Sequence, residues 1–289
     1  MTVYKNYTQQ ELDGQYNARA SVPDFGAVVR DWERRSQACR QALSFKVDLA
    51  YGPREREQLD YFPAGGGFAD AGLLIFFHGG YWQAMDKGVF HFLAGPFVEQ
   101  GVAVALVNYP LAPAADMDRI VGACHRAVMW LHTHAAELRF DRSRMVVAGH
   151  SAGGHIVAML MTADRTPQPN NGPQALVKSG IALSGLFDLR PIRLTYLNQA
   201  LQLDAAAAER NSPVLLPPAT SNPLLACVGG LESAEFKAQS AAIAAAWGRQ
   251  GAAVERLEVA GAHHFAILDH LCDPNSPLHQ LVLRYLATG

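Results

Sequence analysis

RMVVAGHSAGGHIV, residues 144–157, joins an apolar run to a helix-forming run through a turn that reads Gly-x-Ser-x-Gly. In isolation those letters are common in glycine-rich loops, and the context gives them meaning. A strand ending at Ala148 and a helix opening after Ser151 make a strained elbow. Small residues are needed at 149 and 153 because strand and helix approach closely there. The elbow predicts that Ser151 is pushed out above the sheet, as a nucleophile must be.

Working outward, short apolar runs alternate with longer helical patterns, the signature of βαβ units and a largely parallel sheet. Strands are expected at 43–51, 56–62, 72–77, 102–109, 144–149, 179–185, 223–229 and 253–260. The first two alternate polar and apolar residues, as half-exposed antiparallel edge strands do, while GLLIFF and MVVAG are apolar throughout, as buried parallel strands are. Helices are expected at about 87–100, 117–138, 153–164, 234–250 and 278–287. The fold class is therefore α/β, a mostly parallel eight-stranded sheet flanked by helices in one domain over 1–289. An N-terminal arm covers about 1–40. Residues 187–222 hold helix-forming pieces without a strand and are expected to form a small helical cap over the sheet's C-terminal edge.

The chain has 289 residues, 49% hydrophobic and 17% charged, enough to bury roughly 75% of the surface exposed when unfolded. Its 24 basic and 26 acidic residues give a formal charge of −2, which leaves no electrostatic footprint for nucleic acid or an anionic membrane. Cys39, Cys124, Cys227 and Cys272 are scattered without a CxxC pair, as in a reduced cytoplasmic chain, and offer neither a disulfide framework nor a zinc site. The first twenty residues lack a basic region followed by an apolar core, and no apolar stretch approaches the ~20 residues that span a bilayer. The expected location is the cytoplasm, and a homodimer is compatible with the sequence.

A serine hydroxyl needs a base, and in this arrangement the partners follow in the order serine, acid, histidine. VAGAHHFAILDH, after the last strand, offers His264, next to Phe265, and His263 as the fallback. For the acid, Glu232 lies directly after the strand PLLACVG. Asp188 follows the preceding strand, and Glu235 lies one helical turn too far on. Acyl transfer through Ser151 builds charge on the substrate's carbonyl oxygen, and preorganised amides aimed there are worth ~3 kcal/mol each. HGGYWQ, residues 78–83, is the loop that supplies them. Its glycines are expected to let backbone approach the substrate, with the amides of Gly80, Tyr81 and Ala152 as donors. Tyr81, Trp82 and Phe187 are expected to wall the substrate pocket, with His78 holding the loop. His125, His150 and His155 carry no expected role. The His132 and His134 side chains diverge on a helix and form no metal pair. GHSAGG does not read GxGxxG, so no dinucleotide site is expected; the serine chemistry calls for neither a metal nor an organic cofactor.

HGGYW, NYPLAP at 108–113, GHSAGG and the Ser–acid–His order together resemble the α/β-hydrolase superfamily on its hormone-sensitive-lipase-like esterase side. More narrowly, HGGYW with YGPREREQLDYFP (51–63), SGLFDLRPI (184–192) and ESAEFKAQS (232–240) resembles kynurenine formamidase, or arylformamidase, over residues 12–270. That resemblance supports Glu232 and His264 at the family's acid and base positions. Glutamate departs there from the family's aspartate by one methylene. It also implies a small aryl formamide substrate such as N-formylkynurenine, a formyl-enzyme intermediate and a place in tryptophan catabolism. A broad carboxylesterase on short-chain esters uses the same machinery and is the alternative. A hydrolase-fold binding protein without catalysis is a third reading.

Overall fold

Eight short β-formers alternate with helices along the chain, and each finds a place in one sheet. In the computed structural model, residues 1–67, 71–162 and 176–287 are described. The strands are β1 (Lys46–Ala50), β2 (Gln58–Phe62), β3 (Leu73–Phe77), β4 (Ala103–Val107), β5 (Met145–His150), β6 (Ser179–Leu183), β7 (Leu224–Gly229) and β8 (Val254–Val259). Their order across the sheet is β1-β2-β4-β3-β5-β6-β7-β8. The β1–β2 and β2–β4 pairs are antiparallel and the remaining five parallel. Strands β3, β4, β5, β6 and β7 are buried along their whole length, as their unbroken apolar runs require.

The expectation that β2 is a half-exposed edge strand is corrected. It lies between β1 and β4 and is buried from Leu59 to Phe62. Its alternation misleads because the polar partner in the pattern, Asp60, is itself buried and compensated. Lys87 Nζ stands 3.2 Å from its carboxylate, His91 Nε2 2.7 Å, and the Asp48 amide donates at 2.8 Å.

The helices are α1 (Gln9–Tyr16), α2 (Phe25–Ala42), α3 (Ala94–Val98), α4 (Met117–Thr133), α5 (Ala135–Leu138), α6 (Ala152–Leu160), α7 (Asn198–Leu201), α8 (Ala205–Arg210), α9 (Ala234–Gly248), α10 (Ile267–Cys272) and α11 (Pro277–Ala287). The helix expected over 87–100 is a 3-10 segment, Lys87–Leu93, followed by the short α3. That expected over 117–138 breaks at His134. The helix expected over 153–164 ends at Leu160, and positions 163–164 lie outside the described residues. Residues 187–222 carry α7, α8 and two 3-10 turns, Ile192–Leu194 and Pro213–Leu215. No described helix is long and apolar enough to cross a membrane.

The N-terminal arm is helical rather than extended. Thr8 and Glu11 close a reciprocal capping box on α1, and the Asp24 side chain caps α2. Trp32 of α2 sits in a nest of rings, with centroids 5.4 Å from Phe90 and 5.9 Å from Phe265. Ser36 donates to the Val89 carbonyl and accepts from the Phe92 amide. This packing lays α2 against the 3-10 segment Lys87–Leu93 that follows β3.

Candidate active site

Register brings the loops together. Phe77 of β3 pairs with Gly149 of β5, and His150 pairs with Leu183 of β6, so the chain leaves adjacent strands at the same level. The crevice beyond the carboxyl ends of parallel strands is where α/β sheets bind ligands. Ser151 stands there with φ 57° and ψ −115°, a strained conformation for a residue with a Cβ. Its amide donates to the Leu183 carbonyl at 2.7 Å, and α6 starts at the next residue. A Cβ on Gly149 would lie 2.3 Å from the Gly153 carbonyl oxygen, and one on Gly153 would lie 1.9 Å from that of Phe77. The small residues of the motif are therefore demanded by strand–helix contact.

His264, buried after β8, presents Nδ1 to Glu232 Oε2 at 2.6 Å. The other carboxylate oxygen, Oε1, accepts from Ser184 Oγ at 2.5 Å and from the Gly229 amide at 2.7 Å. Burial by itself would raise the Glu232 carboxyl. The adjacent imidazole and the three donors outweigh it and hold the group below the ordinary glutamate value. A fixed carboxylate on Nδ1 sets the tautomer that leaves Nε2 free to accept a proton. The extra methylene of glutamate is accommodated by these two further donors.

The alternatives lie elsewhere. Asp188 is held by Arg190, with Oδ2 2.7 Å from Nη2. Glu235 pairs with Lys5 at 2.8 Å. His263 Nδ1 accepts from the amides of Phe265 and Ala266, both at 3.2 Å, and so ties the turn entering α10. His150, given no role by the sequence, supports His264 directly: its Nε2–H donates to the His264 carbonyl at 2.8 Å. Full burial pushes His150 down to about 3, which keeps it neutral and able to make that bond.

The loop after β3 is a run of left-handed backbone, with Gly80 at φ 106°, Tyr81 at 52° and Trp82 at 57°. The amides of Gln83 and Ala84 fold back onto the Gly80 carbonyl at 3.0 and 3.1 Å. The amides of Gly80, Tyr81 and Ala152, by contrast, find no acceptor among the described residues. His78 fastens the loop as expected, through Nδ1–H to the Gly79 carbonyl, and it stacks on Tyr109, whose hydroxyl donates to the His78 carbonyl. The reason expected for the glycines is corrected. A Cβ on Gly80 would strike the Ala84 carbonyl at 2.4 Å, and one on Gly79 would press on the His150 carbonyl at 3.0 Å. The loop's own fold and its contact with the elbow, not the approach of substrate, require glycine.

Two expected pocket walls are also corrected. Trp82 is fully buried and meets His155 of α6 edge-on, with centroids 5.0 Å apart. Phe187 is fully buried too, with its ring against Gly185 and its amide donating to Gln239. Both belong to the core. Tyr81 does line the cavity, which has a volume of about 260 Å³ and carries Ser151 and His264 in its wall.

Known proteins resemble the chain in sequence and in fold. The BD-FAE family model matches residues 59–223. Kynurenine formamidase of Danio rerio is 32% identical over 300 residues, covering 99% of both chains. The chain belongs to the kynurenine formamidase family. Membership makes it a hydrolase. The fold is that of the α/β hydrolases. A provisionally named thioesterase of Silicibacter sp. TM1040 superposes with TM-score 0.82 at 32% identity, over 94% of this chain and 99% of that one. EstE1, a thermostable carboxylesterase cloned from a metagenomic library, superposes with TM-score 0.66 at 18% identity over 91% and 95%, a likeness of fold alone.

What sequence reasoning missed in this formamidase-family chain is the N-terminal contribution to the site. Ala18 and Arg19, on the 3-10 turn Ala18–Ser21, and Phe25 and Trp32 of α2 form one side of the cavity, and Tyr196 and Leu197 another. A smaller cavity of about 170 Å³ shares Ala18 and His264 with the first and also reaches Glu232, so residues 14–21 form a strap over the His264–Glu232 pair. The Tyr81 hydroxyl donates to the Tyr16 carbonyl, and Ser233 Oγ to that of Gln15. The signals were present: the T-x-x-E capping box, and the apolar face Phe25, Val28, Val29, Trp32 at helical spacing.

Proposed function

We propose that the chain is a serine hydrolase that cleaves small aryl formamides such as N-formylkynurenine through a formyl-enzyme. The observation that carries the reading is the 2.6 Å contact between Glu232 and Nδ1 of His264, a residue that shares a cavity wall with Ser151. Ser151 Oγ attacks the formyl carbon while His264 Nε2 takes its proton. The amides of Gly80, Tyr81 and Ala152 receive the developing oxyanion. Glu232, held ionised, stabilises the imidazolium and fixes its ring. His264 then hands the proton to the departing aniline nitrogen, and water, activated by the same imidazole, releases formate. An aryl amine leaves more readily than an alkyl amine, so esterase machinery suffices, and the formyl carbon is unhindered enough for a small cavity. No step requires a metal or organic cofactor. The four free thiols support a reducing, cytoplasmic setting.

Formate release from N-formylkynurenine tests the reading, with phenyl acetate as the ester comparison. Wild-type protein is expected to turn over the formamide, and Ser151→Ala to lose at least ~10⁴-fold in kcat. A kcat/KM that favours the ester by orders of magnitude supports the carboxylesterase instead. A Ser151→Ala variant near wild-type rate removes the nucleophile assignment.

A further inference from the structure

Among the described residues of the cavity wall, Arg19 is the one with a permanent charge. The other described lining residues are aromatic, apolar or neutral, and include no carboxylate. Its guanidinium lies over the Phe25 ring, 4.9 Å from the centroid. Arg35 shows what such a stacked guanidinium does when its work is structural: it lies 4.3 Å from the Phe92 centroid and spends its N–H groups on Asp269 and Asp31. Arg19 has no carboxylate within ion-pair distance among the described residues. With its guanidinium carbon over the Phe25 ring and no acidic partner among the described residues, Arg19 keeps N–H groups available for a carboxylate, which a guanidinium can take bidentately.

The backbone that carries Arg19 is fixed relative to the reacting atoms. Asn17 Oδ1 accepts from the Ala20 amide at 3.3 Å, and Ser21 Oγ donates to the Ala18 carbonyl at 2.6 Å, closing the turn on both sides of Arg19. Tyr81, whose amide is a proposed oxyanion donor, ties its hydroxyl to Tyr16 three residues earlier. One side chain thus couples the reaction centre to the turn that bears the cation.

We propose that Arg19 is a specificity-determining residue that anchors a substrate carboxylate, so that the preferred substrates are aryl formamides or esters with an anionic group remote from the scissile bond. The inference rests on reading the cavity as an aryl-substrate site and deepens it. N-formylkynurenine, with its amino-acid carboxylate, belongs to this class, and formanilide does not.

The test compares two substrate pairs, N-formylkynurenine with formanilide and 3-acetoxybenzoate with phenyl acetate, on wild type, Arg19→Met and Arg19→Lys. The quantity read is the ratio of kcat/KM for the anionic over the neutral member. In Arg19→Met the ratio is expected to fall about tenfold, carried by KM of the anionic member, as suits one charge-assisted contact at an open rim. Arg19→Lys is expected to recover part of it. In wild type, raising ionic strength is expected to raise KM for 3-acetoxybenzoate and not for phenyl acetate, a reading that needs no variant. A ratio within twofold of wild type, an equal loss on both members, or a salt-insensitive KM for the anionic ester overturns the proposal. Were the wild-type protein to cleave both esters and neither formamide, the formamidase reading would fall while the ester pair still decided the role of Arg19.

Discussion

Lowering the pH from 7 to 5 is expected to strip this fold of much of its stability, because three imidazoles are locked inside it uncharged. Burial, by removing water from the charged form, pushes His150 down to about 3 and His78 and His155 each to about 4. An unfolded chain protonates them near ~6.5. With folded values below unfolded ones, the unfolded state takes up protons first, so stability is lost as pH falls below about 6.5. At pH 5 each group contributes a loss of about 2 kcal/mol and the three together about 6. That is comparable with the ~5–15 kcal/mol that separates folded from unfolded states of ordinary domains. Glu232, lowered from 4.5, adds its own loss only below that value. Urea denaturation at pH 7.0, 6.0, 5.5 and 5.0, buffer values chosen around the ~6.5 reference, reads the effect as proton uptake on unfolding, approaching about three from these groups near pH 5. His155→Gln isolates one of them, since the amide can still donate to the Asn211 carbonyl that His155 Nε2 contacts at 2.8 Å but cannot titrate. Its pH dependence is expected to shrink by about 2 kcal/mol between pH 7 and 5. Uptake below one proton in the wild type, or an unchanged slope in the variant, would refute the argument that these rings are held neutral by burial.

Glu232→Gln keeps the shape but offers His264 Nδ1 an amide, and kcat is expected to drop ~10³–10⁴-fold with little change in KM; a loss under tenfold in steady-state kinetics defeats the acid assignment. Gly153→Ala drives a Cβ to 1.9 Å from the Phe77 carbonyl, where backbone faces backbone. A loss of ~3 kcal/mol or more, or insoluble protein, is expected, and a thermal midpoint equal to wild type contradicts the strand–helix contact. Tyr81→Phe removes the donor to the Tyr16 carbonyl. It is expected to loosen the strap by about 1 kcal/mol and to raise KM several-fold, and an unchanged KM separates the strap from substrate binding.

The central strands were legible because a buried parallel strand has to be apolar along its length, and the runs at 73–77, 103–107 and 145–149 are. The elbow was legible because packing leaves it only glycine at 149 and 153. Between Glu232 and Asp188, on successive loops, and between His264 and His263, adjacent on one loop, the order of elements narrowed the choice, but only side-chain geometry separates them. Other features were hidden by compensation. Asp60 looks like a surface residue until Lys87 and His91 arrive from a distant segment. Trp82 and Phe187 were misjudged because nearness to the site along the chain says nothing about which side of a loop a ring takes. Arg19 and the strap were missed because their value lies in contacts across more than sixty positions, to Tyr81, and more than two hundred, to Ser233.

That strap has a consequence for when the enzyme becomes reactive. Residues made early in synthesis are held over the imidazole by residues made late: Gln15 by Ser233, and Lys5 by Glu235. A half-finished or locally opened molecule therefore has a serine but no finished chamber around it. Chemical competence is expected to arrive together with the closed tertiary structure.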